Sequence, residues 1–425
     1  MKKLMSLLLA VLMVIVACPA LTAMAEEQIT LYVTDWEDDT MNAAIQKACD
    51  EIFSVEHPNI KVVVLSGSYS DYGQQVVSMI QAGDNLDIFQ QGYDAAVANY
   101  QKGLIYDWSE FVANDPEFIE GFYPSSMEGF TYKDAIVGLP GLGNVYGFFY
   151  NKDILAAKGL AEPTIDWTWD DFFALASALK DPDNGIYGCY GFNTDVYGLN
   201  QLSASNGGAL FFEDFTDITS VTVDEKLVEA AELISGYIAD GTLPSRTFKT
   251  DDAQSNFESG TVGLFYYGQW EINSLIKNCP DLNWGYAPIP KGSVTTANTY
   301  DFVGWAAKKD LAHPEETWEL MKFLSSTVYE SVLAVSPVAA CAHQASAQVF
   351  FDTVTAAGHP EAADTVAALI ANPTKTPCRF AASWAQDANK LWDVDYNNIL
   401  DGKGGAPEDL YKLADSVNLL IEDEM

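Results

Sequence analysis

The chain has 425 residues and a formal net charge of −38 at pH 7, from 60 acidic and 22 basic side chains. Such a negative field repels nucleic acid and anionic lipid headgroups, so neither is expected as a partner. Hydrophobic residues make up 48% and aromatic residues 12% of the chain, which excludes an intrinsically disordered protein. A chain of this length exceeds what one hydrophobic core usually covers, so two domains are expected.

The first 25 residues have the pattern of a secretory signal peptide. Two lysines precede an apolar run from Leu4 to Ala17, and small residues ending at Ala25 offer a cleavage site. The run is shorter than the roughly 18 apolar residues of a membrane span. The mature protein is therefore expected to be exported to the periplasm or the cell surface. The segment ending at Cys18 also resembles a lipobox, so lipid anchoring through Cys18 is the alternative.

The first third of the mature chain alternates predicted strands and helices. Strands are predicted at 29–34, 61–65 and 87–89, and apolar residues at helical spacing predict helices over 41–53 and 76–80. The continuous apolar run at 61–65 is typical of a strand buried on both faces. This alternation predicts a parallel sheet with right-handed crossovers.

Three loops follow these strands, at residues 36–38, 66–72 and 91–94. In open sheets of this kind, ligands bind beyond the carboxyl ends of the strands. The binding site is therefore expected at these loops.

The rest of the chain predicts a second α/β unit. It opens with an aromatic strand at 145–150, and Thr168 with Asp171 forms the pattern of a helix capping box. Further helices are predicted at 227–239, 315–325 and 410–421. Because no flexible linker separates the two units, we expect a hinge made of a few strand crossings, with the ligand between the lobes.

The sequence lacks the motifs of common catalytic and cofactor sites, including GxSxG, HExxH, GxxxxGK[ST] and a GxGxxG after a strand. The four histidines are far apart, and the five cysteines that follow the signal peptide contain no CxxC pair. We therefore expect no enzyme activity, no cofactor and no metal site, and most of these cysteines should be buried apolar residues.

Eight segments, in order, resemble the signatures of family 1 extracellular solute-binding proteins, and together they cover essentially the whole mature chain. They are ITLYVTDWEDD, DIFQQGYDAAVANYQKGLIYDWSEF, VYGFFYNKDIL, SNGGALFF, FESGTVGLFYYGQW, WGYAPIPKG, the helix after Pro314 that ends in MKFLSS, and FAASWAQDANKLW with the final amphipathic helix.

The resemblance implies an α/β, two-lobe, periplasmic-binding-protein-like fold of type II, with parallel-sheet lobes, a multi-strand hinge and a ligand cleft between the lobes. Lobe 1 would comprise residues 26–143 plus about 304–345, and lobe 2 residues 144–303 plus about 346–425. The implied function is the capture of a mono- or oligosaccharide and its delivery to the permease subunits of an ABC importer. A monomer is expected.

A site for sugar needs flat aromatic rings together with carboxylates and amides of fixed geometry. The resemblance assigns this role to residues in both lobes: Trp36, Asp38, Gln91, Tyr93, Asp94, Tyr197, Trp270 and Trp384. Trp305, near a predicted crossing segment, packs either in the hinge or against the site. Gln91 stands where maltodextrin-binding relatives have an aromatic residue, so one stacking ring is missing.

Two alternatives remain open at this stage. The same fold could bind a polyol, a cation, a peptide or a polyamine instead of a sugar. A phosphorylated solute would require Arg or Lys in the three loops at the strand ends, which contain neither. The second alternative is a secreted glycoside hydrolase, which would also have aromatic rings and acids in its cleft.

Overall fold

The computed structural model describes residues 28–67, 69–193, 196–209, 211, 216–371, 375–377 and 379–424. The predicted signal peptide, Cys18 and Cys378 lie outside these residues. None of the described helices combines the length and apolar character that a membrane crossing requires.

The described residues form twelve strands and eighteen α-helices of at least five residues. The strands are β1 Ile29–Asp35, β2 Ile60–Ser66, β3 Ile88–Gly92, β4 Thr131–Tyr132, β5 Ala135–Ile136, β6 Leu139–Asn144, β7 Tyr146–Asn151, β8 Leu264–Gly268, β9 Trp284–Ala287, β10 Asn298–Ala307, β11 Ala340–Cys341 and β12 Lys375–Pro377. The helices are α1 Asp39–Ala48, α2 Tyr72–Ala82, α3 Tyr93–Gln101, α4 Ser109–Asn114, α5 Pro116–Glu120, α6 Pro124–Gly129, α7 Lys152–Ala157, α8 Trp169–Leu179, α9 Val196–Ser205, α10 Glu225–Ala239, α11 Thr250–Glu258, α12 Glu271–Asn278, α13 Pro314–Leu324, α14 Val328–Val332, α15 Gln344–Ala356, α16 Pro360–Ile370, α17 Ala385–Leu400 and α18 Asp409–Glu424.

The larger sheet has the strand order β11-β6-β10-β3-β1-β2, and β12 pairs with β10. The predicted parallel arrangement of the first three strands is confirmed, since β1 runs parallel to both β2 and β3. β10 pairs antiparallel with β3 and with β6, and β11 pairs antiparallel with β6, whereas β12 runs parallel to β10. The sheet is therefore mixed, and the expected parallel pairing does not extend to all of it. The reason is that β10 enters late in the chain and from the opposite direction.

Strand β2 lies at the edge of this sheet and not in its middle. Lys61 is exposed, and Val63, Val64 and Leu65 are only partly buried. The prediction that this strand is buried on both faces is wrong, because an apolar run alone does not distinguish an edge strand from a central one.

The smaller sheet has the order β8-β7-β9, with both pairings antiparallel. The expectation of a parallel sheet in the second lobe is wrong as well. Strand β7 continues directly from β6 and lies between β8 and β9, which helix α12 connects. The two faces of this sheet enter different cores: Phe149 and Phe265 join the core of the larger sheet, whereas Phe148 and Tyr266 pack with the helices of a second core.

The capping box predicted at the start of α8 is confirmed. The Thr168 hydroxyl accepts a hydrogen bond from the Asp171 backbone, and the Asp171 carboxylate accepts one from the Thr168 backbone. The ring of Trp167 meets Phe172 edge-on at a centroid distance of 6.0 Å. These contacts fix the angle at which the chain enters the helix.

A buried glutamine fixes the crossing between the two sheets. Strand β6 passes through Val145 into β7, and the Gln269 side chain bonds the backbone at that residue and at Gly143. Gln269 Nε2 donates to Gly143 O at 3.0 Å, and the Val145 N–H donates to Gln269 Oε1 at 2.5 Å. The crossing is thereby tied to the end of β8, where the next residue is Trp270. The lobe boundaries given above stay a proposal.

Candidate functional site

A cleft of about 670 Å³ opens at the junction of the two sheets. Its lining comes from the ends of strands in both sheets and from segments that are distant in the sequence. The lining residues are Trp36, Glu37, Ser70, Tyr72, Gly73, Gln91, Gly92, Asp94, Ala95, Leu142, Asn144, Tyr267, Trp270, Asp301, Val303, Val338, Ala339 and Arg379.

Two tryptophans reach the cleft from different sheets. Trp36 follows β1 and meets the ring of Tyr72 edge-on at 5.2 Å. Trp270 follows β8 and meets Tyr146 and Tyr267 edge-on at 5.3 and 5.2 Å. Both indoles are half-buried. The edge-on packing therefore orients each indole while leaving it in contact with the cleft.

The glycine at the end of β8 is required by the Trp270 ring. A Cβ atom at Gly268 would overlap the indole of Trp270. The ring therefore packs against the backbone at a position where any larger residue would displace it.

Arg379 brings a positive charge into the cleft from the segment after β12. Its Nη1 lies 3.6 Å from Asp94 Oδ1, and its Nη2 lies 3.6 Å from Asp301 Oδ2. Its Nε donates to the Tyr197 hydroxyl at 3.2 Å. A Cβ at Gly92 would lie 3.1 Å from Nη1 and 2.5 Å from Asp94 Oδ1, so glycine permits this approach. The arginine joins side chains from three distant parts of the chain.

Two carboxyl groups at the end of β1 have raised pKa values. Burial raises the pKa of Glu37 to about 7 and that of Asp35 to about 6. Gln90 Nε2 donates to Glu37 Oε1 at 3.0 Å, and the Glu37 backbone N–H donates to Asp35 Oδ1 at 3.0 Å. Near neutral pH, Glu37 is therefore able both to donate and to accept a hydrogen bond at the cleft wall.

Four of the residues predicted for the site line the cleft: Trp36, Gln91, Asp94 and Trp270. Three others lie beside it and support it. Asp38 caps α1 by accepting from the Met41 N–H at 2.8 Å. Tyr93 is fully buried and its hydroxyl donates to the Arg379 carbonyl at 3.3 Å. Tyr197 is buried and accepts from the Arg379 guanidinium.

The other two predicted residues lie in the cores and not in the cleft lining. Trp305 has no exposed surface, and its indole N–H donates to the Tyr329 hydroxyl at 3.2 Å. Trp384 is 7% exposed and packs on Phe380 at 5.3 Å within the second core. Their side chains fill space between packed elements, so we do not propose ligand contacts for them.

The cleft also contains residues that were not named for the site from the sequence, among them Glu37, Asn144, Tyr267, Asp301 and Arg379. Glu37 does lie in the first of the three loops at the predicted strand ends. For Asp301 a signal was present, because it is the one charged residue within the strand that runs from Asn298 to Ala307. For Arg379 there was none, since nothing in the local pattern shows that the residues after β12 reach the first turn of α3.

Among the described residues, no group of three or more His, Cys, Asp or Glu side chains is arranged to hold a metal ion. Cys49, Cys189 and Cys341 are buried free thiols, as expected, and Cys279 is partly buried. Burial raises the pKa of Cys49 to about 12. These thiols are therefore protonated apolar packing residues.

A cleft between two α/β units, with aromatic walls and polar groups from several crossing segments, is the geometry of a solute-binding protein. Residues 47–335 match the model of the bacterial extracellular solute-binding protein family. Because this match covers more than half of the chain, the protein belongs to that family. The resemblance identified from the sequence is confirmed.

Individual relatives agree with this assignment. A binding protein of Brucella abortus (strain 2308) is 28% identical over 282 residues, which cover 64% of this chain and 66% of the relative, just under two thirds. The galactooligosaccharide-binding protein of Bacillus subtilis (strain 168) is 21% identical over 322 residues, covering 72% of this chain and 73% of the relative.

Solved structures confirm the two-lobe fold. An ABC substrate-binding protein from Listeria monocytogenes in complex with cycloalternan has a TM-score of 0.76 at 20% identity, covering 94% of this chain and 99% of that one. A solute-binding protein from Thermotoga lettingae bound with α-D-tagatose has a TM-score of 0.75 at 18% identity, with coverages of 93% and 100%.

A buried acid next to Trp270 makes stability depend on pH. Glu271 is 1% exposed, and Gln254 Nε2 donates to its Oε2 at 2.9 Å. Burial and the neighbouring Glu258 raise the pKa of Glu271 from 4.5 to about 8. The folded state therefore binds a proton that the unfolded state has released, and this stabilisation is lost as the pH rises through 8.

We expect the free energy of unfolding to fall by about 1–2 kcal/mol between pH 6.5 and 8 through Glu271 alone. Urea unfolding at several pH values measures this change. In the Glu271→Gln variant, which keeps the size and polarity of the side chain, the decrease should be smaller by that amount. An equally steep decrease in the variant would show that Glu271 is not the group that titrates.

Proposed function

We propose that this protein is the extracytoplasmic solute-binding component of an ABC importer and that it captures a carbohydrate. The observation that carries the proposal is the pairing of Trp36 and Trp270, which face one cleft from two different sheets. The apolar C–H face of a sugar ring packs on such an indole. The hydroxyl groups at the ring edge need donors and acceptors in fixed positions.

The polar groups of the cleft suit those hydroxyls. Asp94 and Asp301 offer carboxylate acceptors, Arg379 offers donors, and Asn144 offers both. These side chains already hold one another: Arg379 contacts both aspartates, and Asn144 Nδ2 lies 3.5 Å from Asp301 Oδ2. A site whose polar groups are positioned before the ligand arrives loses less freedom on binding.

The two tryptophans of the cleft come from different sheets, so the cleft can close around a ligand. Trp36 belongs to the larger sheet and Trp270 to the smaller one, and the crossing at Val145 connects them. A ligand held by both indoles favours the conformation in which the sheets approach each other. We propose that the closed form is what the permease subunits recognise, that the protein acts as a monomer, and that it does not transform its ligand.

The sugars named in the structures of relatives support a carbohydrate, as does the name of the Bacillus subtilis relative. We also propose export of the mature chain. Signal cleavage would give an N-terminus at Glu26, whereas lipid anchoring would give a modified Cys18. The N-terminal mass of the secreted protein distinguishes the two.

A second candidate ligand is an organic cation. The cleft lining has three carboxyl groups and one guanidinium among the described residues, and indole faces attract cations. The larger number of hydroxyl-compatible groups favours the carbohydrate.

The experiment is a ligand panel applied to the mature protein. Neutral mono- and oligosaccharides, polyols, amines and peptides are each added while the melting temperature and tryptophan fluorescence are recorded. We expect saturable binding of a glycan, with about 2.7 kcal/mol of stabilisation at one hundred times its dissociation constant. The glycan should be recovered intact. Binding of only peptides or amines, or cleavage of the glycan, would contradict the proposal.

A further inference from the structure

The guanidinium of Arg379 is held by protein groups on several sides. Asp94, in the first turn of α3, and Asp301, on β10, lie 3.6 Å from Nη1 and Nη2 respectively. The Tyr197 hydroxyl accepts from Nε at 3.2 Å. Asp301 is almost fully buried and Asp94 is one quarter exposed. The positive charge that enters the cleft is therefore already matched by two carboxylates.

The cleft as a whole has an excess of acid. Its described lining contains three carboxyl groups, on Glu37, Asp94 and Asp301, against the single guanidinium of Arg379. Asp35 lies fully buried next to Glu37 and adds a further carboxyl group behind the wall. An anionic ligand would thus meet the like charges of Asp94 and Asp301, and it would compete with these two aspartates for the arginine.

We propose that this cleft selects uncharged glycans and rejects glycans that carry a carboxylate or a phosphate, with Asp94 and Asp301 as the residues that set this preference. The proposal rests on carbohydrate binding as proposed above and specifies the charge class of the ligand. Arg379 then acts as a hydroxyl donor held in place by its aspartates, and not as an anion receptor.

The physical reason is that like charges brought close together in a cleft repel each other and weaken binding. A neutral sugar avoids that repulsion. Its hydroxyls donate to the carboxylates and accept from the guanidinium without breaking the ion pairs. A uronate or sugar phosphate gains one contact with Arg379 and meets the repulsion of Asp94 and Asp301, to which Glu37 adds when it is ionised.

The test compares matched glycans by calorimetry on the mature protein. Neutral disaccharides and trisaccharides of glucose, galactose, mannose and xylose are measured beside oligosaccharides of the same length that contain galacturonate or glucuronate. We expect the tightest neutral glycan to bind at least about tenfold more tightly than any acidic one. An acidic glycan that binds more tightly than every neutral one overturns this inference and leaves carbohydrate binding intact. Binding of no glycan overturns both.

A pair of variants separates the local charge from the overall charge. In Asp94→Asn, the ratio of the acidic to the neutral dissociation constant should fall by about five- to tenfold. Asp387→Asn changes the net charge equally, but at an exposed residue of α17 that pairs with Lys390 at 2.7 Å. That control should leave the ratio unchanged.

The stability of each variant is checked by its melting temperature without ligand. An unchanged ratio in Asp94→Asn, or an equal fall in Asp387→Asn, would overturn the role assigned to Asp94. Asp301→Asn provides a second measurement at the buried partner of Arg379 and should lower the ratio in the same direction.

Discussion

Trp270→Ala should weaken glycan binding by about 10- to 100-fold while the fold without ligand melts within a few degrees of the parent. The indole is half-buried and lines the cleft, so its removal takes away a stacking face more than it opens a core cavity. A ring stacked on a ligand is worth roughly 1–3 kcal/mol, by analogy with base stacking. Calorimetry with the tightest glycan of the panel measures the loss.

Trp270→Phe is the matched control for this variant. It retains an aromatic face at the same position, so most of the affinity should return. Unchanged affinity in Trp270→Ala would show that this indole is not a ligand platform. Equal losses in the alanine and phenylalanine variants would show that the indole acts through packing against Tyr146 and Tyr267, and not through stacking on the ligand.

Trp384→Ala should have the opposite effect, with a loss of about 3–5 kcal/mol of unfolding free energy and little change in the affinity of the folded fraction. Trp384 is 7% exposed and packs in the second core against Phe380, so truncation leaves a cavity as well as removing buried surface. Chemical unfolding measures the first quantity and calorimetry the second. A variant that stays stable but loses affinity would show that Trp384 belongs to the binding site.

The sequence predicted which strand ends carry the site, but it did not predict all of the charged residues that line the cleft. Trp36, Gln91 and Asp94 lie in loops where the site was expected, because a strand precedes each loop and ligands collect at such ends. Within these loops the residues were assigned by the family resemblance, as was Trp270. All four line the cleft.

The remaining cleft residues depend on contacts between distant segments. Arg379 reaches Asp94 across more than 280 positions in the sequence, and Asp301 reaches Arg379 only because β12 pairs with β10. The periodicity of a sequence does not show that such distant segments are in contact. The three loops at the strand ends lack a cation, but the assembled cleft contains one, because Arg379 reaches it from a distant segment.

The tryptophans show the same limit of prediction from sequence. Trp305 and Trp384 were predicted for the site together with the cleft tryptophans, yet both are in the cores. Trp108, Trp284, Trp318 and Trp392 are also buried. Sequence patterns do not show which tryptophans border a cleft.

The most direct measurement of the central claim is a crystal structure of the protein with the tightest uncharged glycan from the panel. The account predicts a sugar ring in van der Waals contact with Trp36 or Trp270, with hydroxyls bonded to Asp94, Asp301 or Arg379 and the two ion pairs of Arg379 intact. A glycan bound outside this cleft, or an arginine drawn away from both aspartates to meet an anionic group, would contradict it.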